Sequence, residues 1–324
     1  MSDLTKKDVK HLMLFAGRSH PQLASQIATI LGTDIVPARM VTYANSEIYV
    51  RYEESVRGCD AFVIQAHCAP VNDQLMEMLV MLDALKRASA RRITVVAPFY
   101  PYARQDKKHA GREPISARLV ADLLKVAGAD RIISVDLHAD QIQGYFDGPL
   151  DHLYGLPVLA DYIASNYAME NFVVVSPDAG RVKTADKWTD RLGCPLAIIH
   201  KRRDPSVANT VAVHEVVGDV EGKTCLLVDD MIDTAGTICL AAEALKQHGA
   251  SKVIAACTHA ILSGPAADRL NRSAFEEVIV TNTLPIDPKV GIEKLTVLSI
   301  APLLAKAIKA VFEDGSVAAL MNEQ

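Results

Sequence analysis

The chain has 324 residues, enough for two domains with sizeable cores. Half of it is hydrophobic and 23% is charged, the balance of a soluble globular protein. A net charge of −5 excludes the broad basic field of a nucleic-acid binder, so no nucleic-acid partner is expected.

The six cysteines (Cys59, Cys68, Cys194, Cys225, Cys239 and Cys257) contain no C-x-x-C pair, and several lie in apolar runs. They read as buried thiols of a reducing compartment. The polar start, Met-Ser-Asp-Leu-Thr-Lys-Lys-Asp, is no secretory leader. The most apolar helical stretch, 75–85, is interrupted by Glu77 and Asp83 and is too short for a bilayer. The expected address is the cytoplasm, with no membrane partner.

Along the chain, short apolar strand patterns alternate with helical periodicity. Strands are predicted at 12–15, 61–64, 93–97 and 132–135, with helices over 21–31, 72–88 and 114–126 between them. The pattern then restarts: helix 158–167, strand 172–175, helix 182–192, strand 196–199, strand 225–228, helix 238–248, strands 252–256 and 277–280, and a last helix over 301–312. This alternation predicts an α/β protein with parallel sheets. The Gly- and Pro-punctuated stretch 148–157 is the boundary candidate. It divides the chain into two similar domains, 1–154 and 155–324, with roughly equal numbers of strands and with the last helix packing on the N-terminal domain.

The densest chemistry follows the apolar run 225–228. Asp229 and Asp230 stand at its end, then Asp233, Thr234, Ala235, Gly236 and Thr237, then a helical pattern. Ligands of open α/β sheets bind at the carboxyl ends of strands, and a helix start there offers N–H donors and a positive dipole end to a phosphate. Two acids and an anion cradle suit a molecule carrying a diol and a phosphate, such as a sugar phosphate. An ordinary polar loop with a turn and cap is the bland alternative.

Other groups sit at strand ends. His138 follows the strand at 132–135 and reads either as a structural histidine or as a ligand. Asp178, in Ser176-Pro-Asp-Ala-Gly-Arg181, reads either as a helix cap or as one of the few protein ligands that magnesium needs. The long loop 98–112 carries Arg104, Lys107, Lys108 and Arg112, which form either a solvated face or a functional loop. His200-Lys-Arg-Arg203 is either a surface cluster or a polyphosphate clamp. The stretch 43–50, with Asn45 and Glu47, reads on its own as a loop and strand edge. Gly218-Asp-Val-Glu-Gly-Lys-Thr224 is a false P-loop: it is one residue short between its glycines and precedes a strand.

The run Val228-Asp-Asp-Met-Ile-Asp-Thr-Ala-Gly-Thr237 resembles the PRPP-binding signature of the type I phosphoribosyltransferase fold. Together with Tyr102-Ala-Arg-Gln-Asp-Lys-Lys108, Val135-Asp-Leu-His-Ala-Asp-Gln-Ile-Gln-Gly144 and Ser176-Pro-Asp178, it makes nearly the whole chain similar to the ribose-phosphate pyrophosphokinase (PRPP synthetase) family. The resemblance implies two similar parallel-sheet domains of that fold. It also implies transfer of the β,γ-diphosphoryl group of ATP to the 1-hydroxyl of ribose 5-phosphate, giving 5-phosphoribosyl 1-diphosphate (PRPP) and AMP.

By resemblance, Asn45, Glu47, Arg104 and Gln105 hold ATP, with the adenine packed partly across a subunit boundary. His138 and Asp178 bind Mg2+, and Lys201 and Arg203 stabilise the transferring group. Asp229 and Asp230 take the ribose hydroxyls, while Asp233, Thr234, Ala235, Gly236 and Thr237 cradle the 5-phosphate. Ser55, Arg57 and Ser316 match a regulatory phosphate/ADP site, and a homo-hexamer is implied. Arg181 departs from the family, which usually has glycine there; Arg18 and His20 stand where some members have asparagine. A PRPP-consuming transferase and a non-catalytic regulatory homologue are the rival readings.

Overall fold

The computed structural model describes residues 10–202 and 213–322. The chain forms two compact units. One comprises 1–154, 283–285 and 300–324; the other comprises 155–282 and 286–299.

The first unit opens with β1 (Leu12–Ala16), α1 (Pro21–Leu31), β2 (Ala38–Thr42), β3 (Ile48–Tyr52) and β4 (Asp60–Ile64). It continues with α2 (Val71–Arg87), β5 (Arg92–Ala97), α3 (Ser116–Ala127), β6 (Arg131–Val135) and β7 (Leu150–Leu153). Among the described residues, β1, β4, β5, β6 and β7 form a parallel sheet in that order, while β2 and β3 make a separate antiparallel hairpin. Central strands are buried on both faces, as the unbroken run Asp60–Ile64 shows. Asp60 begins that strand and is buried, which is tolerable because Arg91 and Arg92 both pair with it.

The second unit runs α4 (Leu156–Asn166), β8 (Phe172–Ser176), α5 (Val182–Leu192), β9 (Leu196–Arg202), β10 (Val213–Val217) and β11 (Thr224–Ile232). Then come α6 (Gly236–Gln247), β12 (Lys252–Ala260), α7 (Ala266–Arg272), β13 (Glu277–Thr281) and β14 (Leu295–Leu298). Its sheet has the order β10-β9-β8-β11-β12-β13-β14, parallel except for β10 against β9. From β8 the chain runs outward to β9 and β10, then returns to β8's other side as β11. The β8/β11 boundary is therefore where strand order reverses, the crevice in which open α/β sheets bind ligands.

The expected α/β fold with parallel sheets holds, and its details add to it. Among the described residues the sheets differ in size, five strands against seven. β10 and the β2–β3 hairpin break the purely parallel pattern. The stretch 300–322 groups with the first unit, where the last long helix is expected to pack. α8 (Ala301–Phe312) buries Leu303, Leu304, Ala307, Ile308 and Val311 and packs on α1, which buries Leu23 and Ile27; α9 (Val317–Asn322) follows it. A helix so apolar needs such a partner. Strand β11 also runs beyond 228 to Ile232, so the two acids lie inside the strand's terminal stretch and not after it.

In the second unit, Glu277 ties α4 to β13 and β14. Its carboxylate accepts from Tyr162 Oη at 2.8 Å, from Tyr167 Oη and from Thr296 Oγ1. Burial works to raise this carboxyl, but the three hydroxyls outweigh it and hold the group below its usual range. A depressed folded value gives stability that is present above the unfolded pKa and lost as pH falls through the folded one. Tyr167→Phe is expected to cost about 1 kcal/mol at pH 7. That gap should narrow below about pH 4, as the carboxyl protonates. Urea denaturation at both pH values checks it; a gap independent of pH would remove the charged acceptor from the account.

Candidate active site

Parallel pairing of β11 with β8 covers only Thr224–Leu227, whereas pairing with β12 continues to Ile232. β8 ends at Ser176, and its chain leaves through Pro177 and Asp178. β11 thus outruns its neighbour by several residues on one side. Asp229 and Asp230 occupy that overhang.

Asp230 is buried and Asp229 half-buried. The Asp229 Oδ1 accepts the backbone N–H of Asp230 at 2.9 Å. Burial and the adjacent Asp230 push the Asp229 carboxyl above the usual carboxylate range, with Arg181 pulling the other way. Arg181 reaches both acids: its Nη2 donates to Asp230 Oδ1 at 2.7 Å, and its Nε lies 3.5 Å from Asp229 Oδ1. Burial works against the Arg181 charge, but the surrounding acids hold its pKa above the ordinary value.

Asp178 caps the one-turn helix 179–181: its Oδ1 accepts from Gly180 N at 2.7 Å and Arg181 N at 3.0 Å. The capping alternative for Asp178 therefore holds, and the carboxylate remains exposed. Ser176 Oγ donates to the Asp178 carbonyl at 2.7 Å and tightens the same turn.

Past β11 the loop turns through Ala235, which takes the left-handed conformation (φ 59°) that alanine rarely adopts. It brings the chain into α6 at Gly236, and no side chain caps this helix start. The first-turn N–H groups there are the orphan donors that suit a phosphate. Two side chains outside the signature brace the loop. Arg269 Nη1 on α7 donates to the Thr234 carbonyl at 2.9 Å, and Ser263 Oγ donates to Asp233 Oδ1. The chain after β12 runs alongside: Leu262 N bonds Ile232 O and Ser263 N bonds Asp233 O, both at 3.0 Å. Sequence reasoning missed Arg269 and Ser263. They lie far along the chain, and nothing local marks them.

In the first unit, the loops after β5 and β6 carry Arg104, Gln105 and His138. They are tied together by buried Asp106, whose Oδ2 accepts from Gln141 Nε2 and whose carbonyl accepts from Tyr145 Oη. Ser116 Oγ donates to Gln105 Oε1 at 2.6 Å, fixing Gln105 at the start of α3. Arg104 and Gln105 are exposed, and His138 is half-buried. Asn45 and Glu47 sit elsewhere, at the exposed tip of the β2–β3 hairpin, where Asn45 Oδ1 accepts from Glu47 N at 3.2 Å. A hollow of about 300 Å³ lies beside the tip; Ser46, Arg18, Thr42 and Glu77 help to line it, but neither Asn45 nor Glu47 does. Arg18 pairs there with buried Glu77 at 2.6 Å.

Ser55 and Arg57 are exposed, and Ser316 Oγ accepts from Ala319 N at 3.2 Å at the start of α9. Lys201 lies in β9 opposite His214 of β10, and only its backbone is described; Arg203 lies outside the described residues. The false P-loop is the turn between β10 and β11.

No three His, Cys, Asp or Glu side chains cluster at metal-binding distance among the described residues. An exposed carboxylate at a tight turn is a hard oxygen donor of the kind magnesium takes singly, keeping its waters and borrowing substrate phosphates. Asp178 fits that use.

Residues 12–128 match the N-terminal domain of ribose phosphate pyrophosphokinase, and residues 205–322 match the phosphoribosyl synthetase-associated domain. The ribose-phosphate pyrophosphokinase of Streptomyces coelicolor is 62% identical over 324 residues, the full length of both chains. The chain belongs to the ribose-phosphate pyrophosphokinase family. Its counterpart in Mycobacterium tuberculosis H37Rv is 63% identical over 314 residues, 97% of this chain and 96% of the relative. The crystal structure of phosphoribosylpyrophosphate synthetase from Mycobacterium smegmatis matches with a TM-score of 0.90 at 62% identity, covering 94% of this chain and 100% of that one. As a family member the protein is a transferase that makes PRPP, and neither rival reading is favoured.

Arg269→Ala, which removes the donor to the Thr234 carbonyl, should raise KM for ribose 5-phosphate by about threefold to tenfold, the net worth of an ordinary hydrogen bond. KM for ATP should stay put. Steady-state kinetics with each substrate varied checks both.

Proposed function

We infer that the overhanging end of β11 and the start of α6 form the ribose 5-phosphate site of a diphosphoryl transfer from ATP. The observation that carries this reading is the single continuous segment that presents two acids and, a few residues on, an uncapped helix start at the sheet's switch point. Asp229 and Asp230 accept hydrogen bonds from the ribose 2- and 3-hydroxyls. Asp233, Thr234, Ala235, Gly236 and Thr237 wrap the 5-phosphate, leaving the 1-hydroxyl to attack.

Arg104 and Gln105 bind ATP in the first unit, a role supported by the anchoring of their loop through Asp106. Asn45 and Glu47 serve nucleotide from the hairpin tip, and their exposure supports a contribution to a neighbouring subunit's ATP. Asp178 and His138 would each hold Mg2+, which when bound supplies charge neutralisation on the ATP phosphates. The 1-hydroxyl attacks the β-phosphorus in line with the departing α-phosphate oxygen, and AMP leaves. Lys201 and Arg203 gather on the transferring group. In such a transfer the protein mostly positions groups and stabilises charge, so cations there carry much of the rate.

The exposed apolar stripe of Ile115, just before α3, with Leu119, Leu123 and Val126 on it, supports assembly with further copies, read as a homo-hexamer. Among the described residues no helix is long and apolar enough to cross a membrane, which supports a cytoplasmic enzyme. Ser55, Arg57 and Ser316 are proposed as a phosphate/ADP regulatory site; activity indifferent to both ions removes it.

Incubation with ribose 5-phosphate, Mg2+ and ATP should release AMP. Release of ADP would mean transfer of a single phosphoryl group and would overturn the mechanism. Lys201→Ala should lower kcat by about 100-fold or more, with nucleotide binding nearly intact; an equal loss of binding would deny it a transition-state role. In gel filtration the protein should elute far above the 35.1 kDa of one chain.

A further inference from the structure

β6 stops at Val135, and the turn that follows carries His138. Asp136, the first residue of the turn, is still held by the neighbouring strand: its N–H donates to the Leu153 carbonyl of β7 at 2.9 Å. Asp136 has a positive φ of 38°, which redirects the chain. The next N–H, that of Leu137, donates to a β7 side chain instead, His152 Nε2, at 2.9 Å. Leu137 is buried in the core of the first unit, where a backbone N–H needs an acceptor from the protein.

His152 is held firmly in that role. It stands opposite Ser134 of β6, and its side chain is only 3% exposed. Its ring lies 4.6 Å from the Tyr154 ring at an angle of 43°. Because Nε2 accepts, the proton of the neutral ring sits on Nδ1. Nδ1 faces the one-turn helix 140–144, with the Gln143 amide at 3.3 Å and Asp140 Oδ1 at 3.6 Å. One imidazole therefore meets the chain on both sides of His138: the residue before it through the backbone, and the short helix after it through side chains. That helix is anchored in its turn by buried Ile142.

Building on the reading of His138 as a Mg2+ ligand, we propose that His152 is a positioning residue that holds the 136–138 turn and so presents His138 to the metal. It acts through an acceptor atom and touches neither metal nor nucleotide. Groups behind a ligand set affinity in this way, because a ligand that must be ordered on binding weakens it. Asparagine at this position supplies an oxygen acceptor, whereas phenylalanine keeps a ring against Tyr154 and removes the acceptor.

The test uses the full-length protein with Mn2+ and α,β-methylene-ATP, which lacks the bridging oxygen that the reaction releases. Pulsed electron paramagnetic resonance then reads the nitrogen coupling of a metal-bound imidazole without turnover. The unaltered protein should show that coupling, His138→Ala should lose it, His152→Phe should weaken it clearly and His152→Asn should retain it. In steady-state assays with Mg2+, His152→Phe should raise KM for ATP about tenfold, with KM for ribose 5-phosphate within about twofold. His152→Asn should recover most of the ATP effect. His152→Leu makes the same comparison if the larger ring prevents folding. Full coupling and an unaltered KM for ATP in His152→Phe overturn the proposal. So does an equal rise in both KM values, the mark of general loosening, and so does a failure of asparagine to rescue. If His138→Ala keeps the coupling, the metal reading of His138 itself is wrong. If His138→Ala loses it while His152→Phe keeps it, only the role given to His152 falls.

Discussion

The candidate active site depends on one mismatch in strand length. β11 extends five residues past its last partner on β8, from Val228 to Ile232, while β12 accompanies it to the end. Had β8 kept pace, the backbone at Asp229 and Asp230 would be enclosed on both edges, and no ligand could approach from that side. Because the mismatch lies at the switch in strand order, departing chain from β8 is close enough to send Arg181 back to the exposed edge. Topology opens the crevice, and the overhang furnishes it with charge.

The chemistry of this crevice places like charges side by side in a partly buried setting, which is costly unless compensated. Arg181 opposes the acids directly, while the backbone N–H of Asp230 opposes Asp229 locally. Downstream, the unusual turn at Ala235 is held from outside by Arg269 and Ser263. A left-handed alanine persists only where surrounding contacts over-determine it. The loop 233–237 is therefore shaped as much by α7 and the chain after β12 as by its own sequence.

The strands that carry the candidate site were legible because buried parallel strands announce themselves as continuous apolar runs. Phe172–Ser176 and Cys225–Val228 are buried throughout, and the groups that follow them are forced to the sheet's edge. The hairpin was not legible. β3 does alternate, with Ile48, Val50 and Tyr52 inward and Tyr49 and Arg51 exposed, but over only five residues, and β2 alternates less cleanly, so only a strand edge near 43–50 could be read. β7 was missed for a similar reason, since Asp151 and His152 interrupt a four-residue strand. The C-terminal return to the first unit was only partly visible: the apolar helix showed itself, but its partner α1 is distant in sequence. Arg181 was visible as a departure from the family pattern. Its two partners across the sheet boundary were not, because local spacing carries no information about which strand ends become neighbours.

The bare beginning of α6 has a consequence for how the enzyme survives heat. A helix whose opening turn lacks a side-chain acceptor forgoes a contribution of about 1 kcal/mol that serine or aspartate would provide. On the site proposed above, a sugar phosphate would supply those acceptors, and a ligand that favours the folded state raises the melting temperature with its concentration. The same peptide turn would then serve both substrate grip and thermal resistance, so a substitution that caps α6 with a side chain would trade one for the other.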